Sequence, residues 1–91
     1  MKQSIHSVAD LGIVLRAVRK ASRVRQDDLA ATAGVSKQFT ADVERGKPTV
    51  QMGLVFKLLK EMGIGLSVDI PDAVAPVLHK LQSKQRSTRT T

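Results

Sequence analysis

The side chains that could do chemistry in this chain are few, and most are wrongly spaced for it. His6 and His79 lie in opposite terminal segments, and neither has a carboxylate at metal-ligand spacing. The sequence has no cysteine, which removes disulfides and thiolate zinc sites together. Asp27 and Asp28 form a carboxylate pair only on paper. Adjacent residues of a helix do not face each other, and acid in a first turn is favoured by the helix dipole. Gly63-Ile64-Gly65 lacks the following helix pattern that a phosphate-cradling loop requires. We therefore expect a non-enzyme with no metal and no cofactor. What remains is a run of polar groups: Lys37, Gln38, Asp42, Arg45 and Lys47. Lysine suits guanine O6/N7, glutamine suits adenine N6/N7, and an aspartate accepts from cytosine. That is base-edge and phosphate chemistry, and it needs a rigid element to carry it.

The stretch from Gln26 to Gly46 has the form of such an element: two short helices joined by a tight turn. Leu29, Ala30 and Ala33 share one face of the first. Gly34 follows, suited to the left-handed conformation that ends many helices. Ser36 is placed to cap the second helix through a free backbone N–H. Ala30 is small enough to let the second helix cross close by, and Val35 and Val43 seal the pair. Lys37, Gln38, Ala41 and Asp42 fall on another, exposed face. This is the helix-turn-helix pattern, in which the second helix lies in the DNA major groove.

Composition is consistent with that reading. At 91 residues there is room for one small domain, and 42% apolar residues suffice for a core. Phe39 and Phe56 are the only aromatics, so the core must be aliphatic. A net charge of +7 suggests an acidic partner, nucleic acid first. No apolar run is long enough for a membrane span and the N-terminus lacks a signal core, so we expect a cytoplasmic protein without a membrane partner.

Before the motif, residues 1–6 form a polar lead. Ser7 and Asp10 are close to a capping box, and a first helix runs to about Ser22 on a stripe of Val8, Leu11, Leu15 and Val18. Gly12 is its weak point in helix propensity. Arg16, Arg19 and Lys20 sit where the helix dipole favours cations. After the motif, Thr49 is expected to cap a fourth helix over about Val50 to Met62, with Leu54, Val55, Leu58, Leu59 and Met62 making a broad apolar face. Phe56 falls outside that face. Leu66, Val68 and Ile70 alternate with polar residues as in a strand, which Pro71 stops. Val74, Val77, Leu78 and Leu81 allow a helical turn or two, and residues 83–91 are expected to be disordered. The expected organisation is thus a lead (1–6), a helix-turn-helix domain (7–63), a dimerisation strand (64–70) and a flexible tail (71–91).

Gln26, Leu29-Ala30, Ala33-Gly34-Val35-Ser36 and Val43-Glu44-Arg45-Gly46 together resemble the XRE, or Cro/C1-type, repressors. Thr40 stands where that family usually buries an isoleucine-like residue, and Ala41 where serine is common. The resemblance implies an all-α, lambda-repressor-like domain of four to five helices, with one C-terminal strand pairing across a dimer. It implies DNA contacts from Gln26, Ser36, Lys37, Gln38, Thr40, Ala41, Asp42, Arg45 and Lys47, and an ion pair between Arg19 and Glu44 beneath the motif. The order of elements, with the single strand after the fourth helix, is most similar to the Hip-type (HipB-like) antitoxins. That likeness implies a homodimer, joined through Leu66, Val68 and Ile70, that binds a palindromic operator in double-stranded DNA. It also implies repression of its own operon and binding of a HipA-like kinase toxin. A stand-alone XRE-type regulator is the nearest alternative. A more distant one is an interaction subunit whose basic charge serves RNA or a membrane surface.

Overall fold

Ser7 starts the first helix by turning its side chain back on the chain: its hydroxyl accepts from the Asp10 N–H at 3.1 Å. Asp10 accepts from the His6 N–H at 2.9 Å, one residue ahead of the partner a capping box would use. Helix α1 then runs over Val8–Ala21. It is followed by α2 (Gln26–Ala33), α3 (Lys37–Glu44), α4 (Met52–Glu61), a 3-10 turn at Asp72–Val74, and α5 (Ala75–Arg89). The structure, a computed structural model, describes the backbone of residues 1–89 and the side chains of residues 1–85.

Helices α1 to α4 end alike. In each, an amide two or three residues past the helix end bonds to the carbonyl five residues earlier: Val24 to Arg19, Val35 to Ala30, Lys47 to Asp42 and Ile64 to Leu59, all at 2.9–3.1 Å. This closure requires one left-handed residue. At the ends of α2, α3 and α4 a glycine supplies it, Gly34 with φ +74°. At the end of α1 the residue is Arg23, with φ +58°, a conformation that burdens a residue with a Cβ by about 1–2 kcal/mol.

Helix α3 packs on both α1 and α2, and α2 packs on α4. Leu11 and Leu15 of α1, Leu29 of α2, Val43 of α3 and Val55, Leu58 and Leu59 of α4 form one aliphatic core. Ile5, Val24, Val35, Phe39, Val50, Met62 and Ile64 pack around it. The N-terminal lead is therefore less idle than its polarity suggests, because Ile5 is drawn onto the core.

Three expectations change. Thr49 does not cap α4: the helix begins at Met52 after Gln51, with no side-chain cap, because Val50 is used to cover the core. Gly12 is not a weak point. It is where α1 presses against α3, and a Cβ there would collide with the Val43 carbonyl and lie 2.9 Å from that of Glu44. The third change is at the C-terminus, where helix α5 continues to Arg89 instead of a turn or two. Pro76 sits in its first turn, where the missing N–H matters little, and Leu, Lys, Gln and Arg beyond it are good helix formers. Of the segment expected to be disordered, residues 90 and 91 lie outside the described residues.

Among the described residues no strand ladder forms. The stretch 64–70 is non-helical backbone on which Leu66, Val68 and Ile70 are all exposed. The chief packing partner of α5 is the 3-10 turn, and Val74, Val77 and Leu81 remain exposed there. No helix among the described residues is long and apolar enough to cross a membrane.

Gly12→Ala separates propensity from packing. Alanine is favoured over glycine in a free helix by about 0.8–1 kcal/mol. Here the collision with backbone atoms should win, and urea unfolding should show a net loss of about 1–3 kcal/mol.

Candidate nucleic-acid interface

Helix α3 divides its residues sharply between two environments. Thr40, Val43 and Glu44 are buried, while Lys37 and Gln38 are exposed and Ala41 and Asp42 half-exposed. Ser36 anchors the helix start, its hydroxyl accepting from the Phe39 N–H at 2.9 Å. The fold thereby presents the N-terminal turn of α3 outward on a rigid base.

Thr40 must be removed from the expected DNA contacts. It has no exposed surface, and its hydroxyl donates to the Ser36 carbonyl at 3.1 Å. It occupies the place of the isoleucine-like core residue, with the extra polar atom satisfied inside its own helix.

Beneath α3 lies a charged cluster. Arg19 of α1 donates through Nε to Glu44 Oε2 at 2.7 Å and through Nη2 to Oε1 at 2.9 Å. Its third nitrogen, Nη1, donates to the Val24 carbonyl at 3.0 Å. Gln26, the first residue of α2, donates its side-chain amide to the same Glu44 Oε1 at 3.2 Å. Side-chain exposure is 11% for Arg19 and 4% for Glu44, so this is a largely desolvated, two-pronged pair of the strong kind. The Glu44 hydrogen bonds raise the Arg19 pKa above its ordinary value, partly opposed by burial. Gln26, expected to clamp a phosphate, has its NH2 group turned inward to this pair.

On the outer surface the polar groups of α3 converge on one carboxylate. Gln38 Nε2 and Arg45 Nη2 both donate to Asp42 Oδ1, at 2.9 and 2.8 Å. Lys47 Nζ lies 3.7 Å from Oδ2. The Gln38 and Arg45 hydrogen bonds hold the Asp42 carboxyl below its usual range. Lys37 stands apart from this cluster at the helix start.

A shallow open groove beside α3 has Arg19 and Glu44 in its lining, together with Arg16, Lys20, Gln26, Ala41 and Arg45. From sequence, Arg16 and Lys20 read only as charges near a helix end. Their four-residue spacing puts them on one face, and the three-residue step from Arg16 to Arg19 turns that face toward α3. That phase relation is the signal that would have grouped them with Arg45.

A buried-backed helix with its first turn exposed, set on a second helix through a glycine turn, defines a helix-turn-helix module. Residues 10–63 match the helix-turn-helix domain family. An uncharacterised HTH-type transcriptional regulator, y4mF of Sinorhizobium fredii, is 42% identical over 71 residues, which cover 78% of this chain and 93% of that one. The fold is also that of HipB. The HipB–O4 20-mer complex superposes with a TM-score of 0.71 at 20% identity, covering 78% of this chain and all of that one. HipB in the HipA–HipB–O2–O3 complex gives the same values. The chain belongs to the helix-turn-helix transcriptional regulators.

The Arg19–Glu44 pair should show the asymmetry of a desolvated ion pair. Glu44→Ala alone leaves a guanidinium largely buried without its counter-charge, and denaturant unfolding should register a loss of about 3 kcal/mol. The double variant Arg19→Met/Glu44→Leu should lose less than that single variant does, since neither charge is stranded.

Proposed function

We propose that this chain is a homodimeric repressor that binds a palindromic operator through α3, autoregulates its operon, and serves as the antitoxin to a HipA-like kinase toxin. The observation that carries the DNA-binding part is the outward first turn of α3. Lys37 and Gln38 stand free of the core on a helix whose other face is locked by Val43 and Glu44. In this reading Lys37 and Gln38 reach base edges, with Ser36 and Ala41 against the backbone and groove wall. Arg45 and Lys47 face phosphates, while Gln26, its NH2 group held by Glu44, steadies the base of α3.

The homodimer reading rests on residues 64–70. They carry three exposed apolar side chains and have no partner strand among the described residues. Pairing with their twin across a two-fold axis would satisfy those backbone groups and set two α3 helices about 34–36 Å apart, one turn of DNA. The exposed Met52 and Phe56 of α4 extend the apolar surface available to such a contact.

The antitoxin reading is supported by the shared fold with HipB, which occurs in a complex with HipA. The toxin would dock on the apolar residues of α5, where Val77 and Leu81 are about 60% exposed. The side chains of Arg86 and Arg89, expected to extend this region with positive charge, lie outside the described residues. A second reading, a stand-alone regulator, is favoured by one observation: the relative that is 42% identical is described only as a transcriptional regulator.

Lys37→Ala/Gln38→Ala should weaken binding to the DNA upstream of the chain's own reading frame by about 1–3 kcal/mol per lost base contact. An electrophoretic shift equal to that of the parent protein would refute the α3 assignment. Val68→Pro removes a ladder donor and should give monomers in sedimentation, with weak operator binding. A stable dimer of that variant would mean that 64–70 is not the interface. A kinase encoded beside the chain should co-purify with it and be lost on truncation before Pro71. If no such kinase binds, the stand-alone reading holds.

A further inference from the structure

Gln38, Arg45 and Lys47 do not project freely into solvent. All three turn to the carboxylate of Asp42, at 2.9, 2.8 and 3.7 Å. These are groups that the proposed function assigns to DNA, one to a base edge and two to phosphates. Asp42 itself is well covered, with 18% of its side chain exposed, whereas Arg45 and Lys47 remain 67% and 57% exposed. The geometry is that of an anion held among the donors that would otherwise hold a phosphate. We infer that Asp42 is a specificity-determining residue that acts as an internal stand-in for the DNA backbone, engaging Gln38, Arg45 and Lys47 until an operator displaces it.

The physical consequence follows from how DNA affinity arises. Non-specific binding comes almost entirely from cations replacing condensed counterions on phosphates. A cation already neutralised by a carboxylate contributes less to that term, because engaging a phosphate requires breaking the first pair. Base-edge contacts at the operator supply the compensation, and random sequence does not. Asp42 thus lowers affinity for all DNA but lowers it most where no base contacts form. Its depressed pKa means that the carboxylate is ionised throughout the neutral range. This inference rests on α3 facing DNA, and it reverses the role of Asp42 as an acceptor from cytosine.

The test measures binding of Asp42→Asn to two duplexes of equal length, one holding the upstream operator and one of unrelated sequence, across about 50–200 mM salt. Asparagine keeps the shape and removes the charge. The unrelated duplex should bind tighter, by on the order of tenfold per freed cation near 0.1 M salt, with the salt slope steeper by about 1–2. Operator binding should gain less, so the specificity ratio falls. Asp72→Asn makes the same change in net charge on the 3-10 turn, away from α3, and should leave the slope as in the parent. In an Arg45→Ala/Lys47→Ala background, Asp42→Asn should leave the salt slope unsteepened, since no cation remains to be freed. If Asp42→Asn folds poorly, Asp42→Ala serves the same comparison.

A non-specific gain and slope no larger than those of Asp72→Asn would overturn the inference. So would loss of operator affinity confined to one base pair, which is the signature of direct readout. Failure of the α3 assignment itself looks different. In that case Lys37→Ala/Gln38→Ala leaves operator binding intact as well.

Discussion

The guanidinium of Arg19 holds the helix-turn-helix module to the rest of the chain. Its three nitrogens bond to the carboxylate that ends α3 and to the carbonyl of Val24, just before α2. The same carboxylate accepts from Gln26 at the head of α2. One cation therefore fixes the relative placement of three helices whose aliphatic contacts alone would tolerate sliding, since hydrophobic burial is non-directional. The collision surface at Gly12 works with it. Having no Cβ there lets α1 reach the α3 backbone, and that close approach is what brings Arg19 within 2.7 Å of Glu44. The core gives cohesion, and the ion pair and the close crossing give register.

Electrostatics on the outer surface is restrained rather than maximal. A chain with a formal charge of +7 could present every cation to DNA at once. Instead the structure sets one acid on α3 among the donors at its end, and a buried acid under α3 takes up Arg19. Of the cations that line the groove, Arg19 is paired with Glu44 and Arg45 with Asp42. Net positive charge of this kind draws an anionic partner at long range, while the paired cations are held back at short range.

Much of this was legible in the residues. The stretch Gln26 to Gly46 specified its own turn and caps, because Gly34 and Ser36 are residue types whose backbone preferences are local. The core stripe of α1 and the apolar face of α4 followed from periodicity. What sequence missed depended on neighbours. Gly12 reads as a poor helix former until α3 is placed against it. Thr40, at a position the resembled repressors bury, still counted among the implied DNA contacts until its hydroxyl is seen to bond within its own helix. Thr49 lost the capping role because Val50 is needed over the core. Gln38, Asp42 and Arg45 stand at i,i+4 and i,i+3 spacing on one helix, so their grouping was open to a reading of the sequence; the return of Lys47 from beyond the helix end was not. Arg23 gave no signal at all: only the closure at the end of α1 shows that it carries a glycine's conformation.

The two environments of α3 also bear on how such a protein diverges. Lys37, Gln38 and Ala41 touch little of the interior, and substitutions at positions of that kind usually shift stability by less than about 0.5 kcal/mol. Thr40, Val43 and Glu44, on the same eight-residue helix, are held by the core and the ion pair. Descendants of this sequence can therefore change the outer positions one at a time, each intermediate still folded. The inner positions are free to change only together with their partners on α1 and α2. Paralogues in one genome can in this way share a scaffold while the outward surface of α3 differs from one to the next.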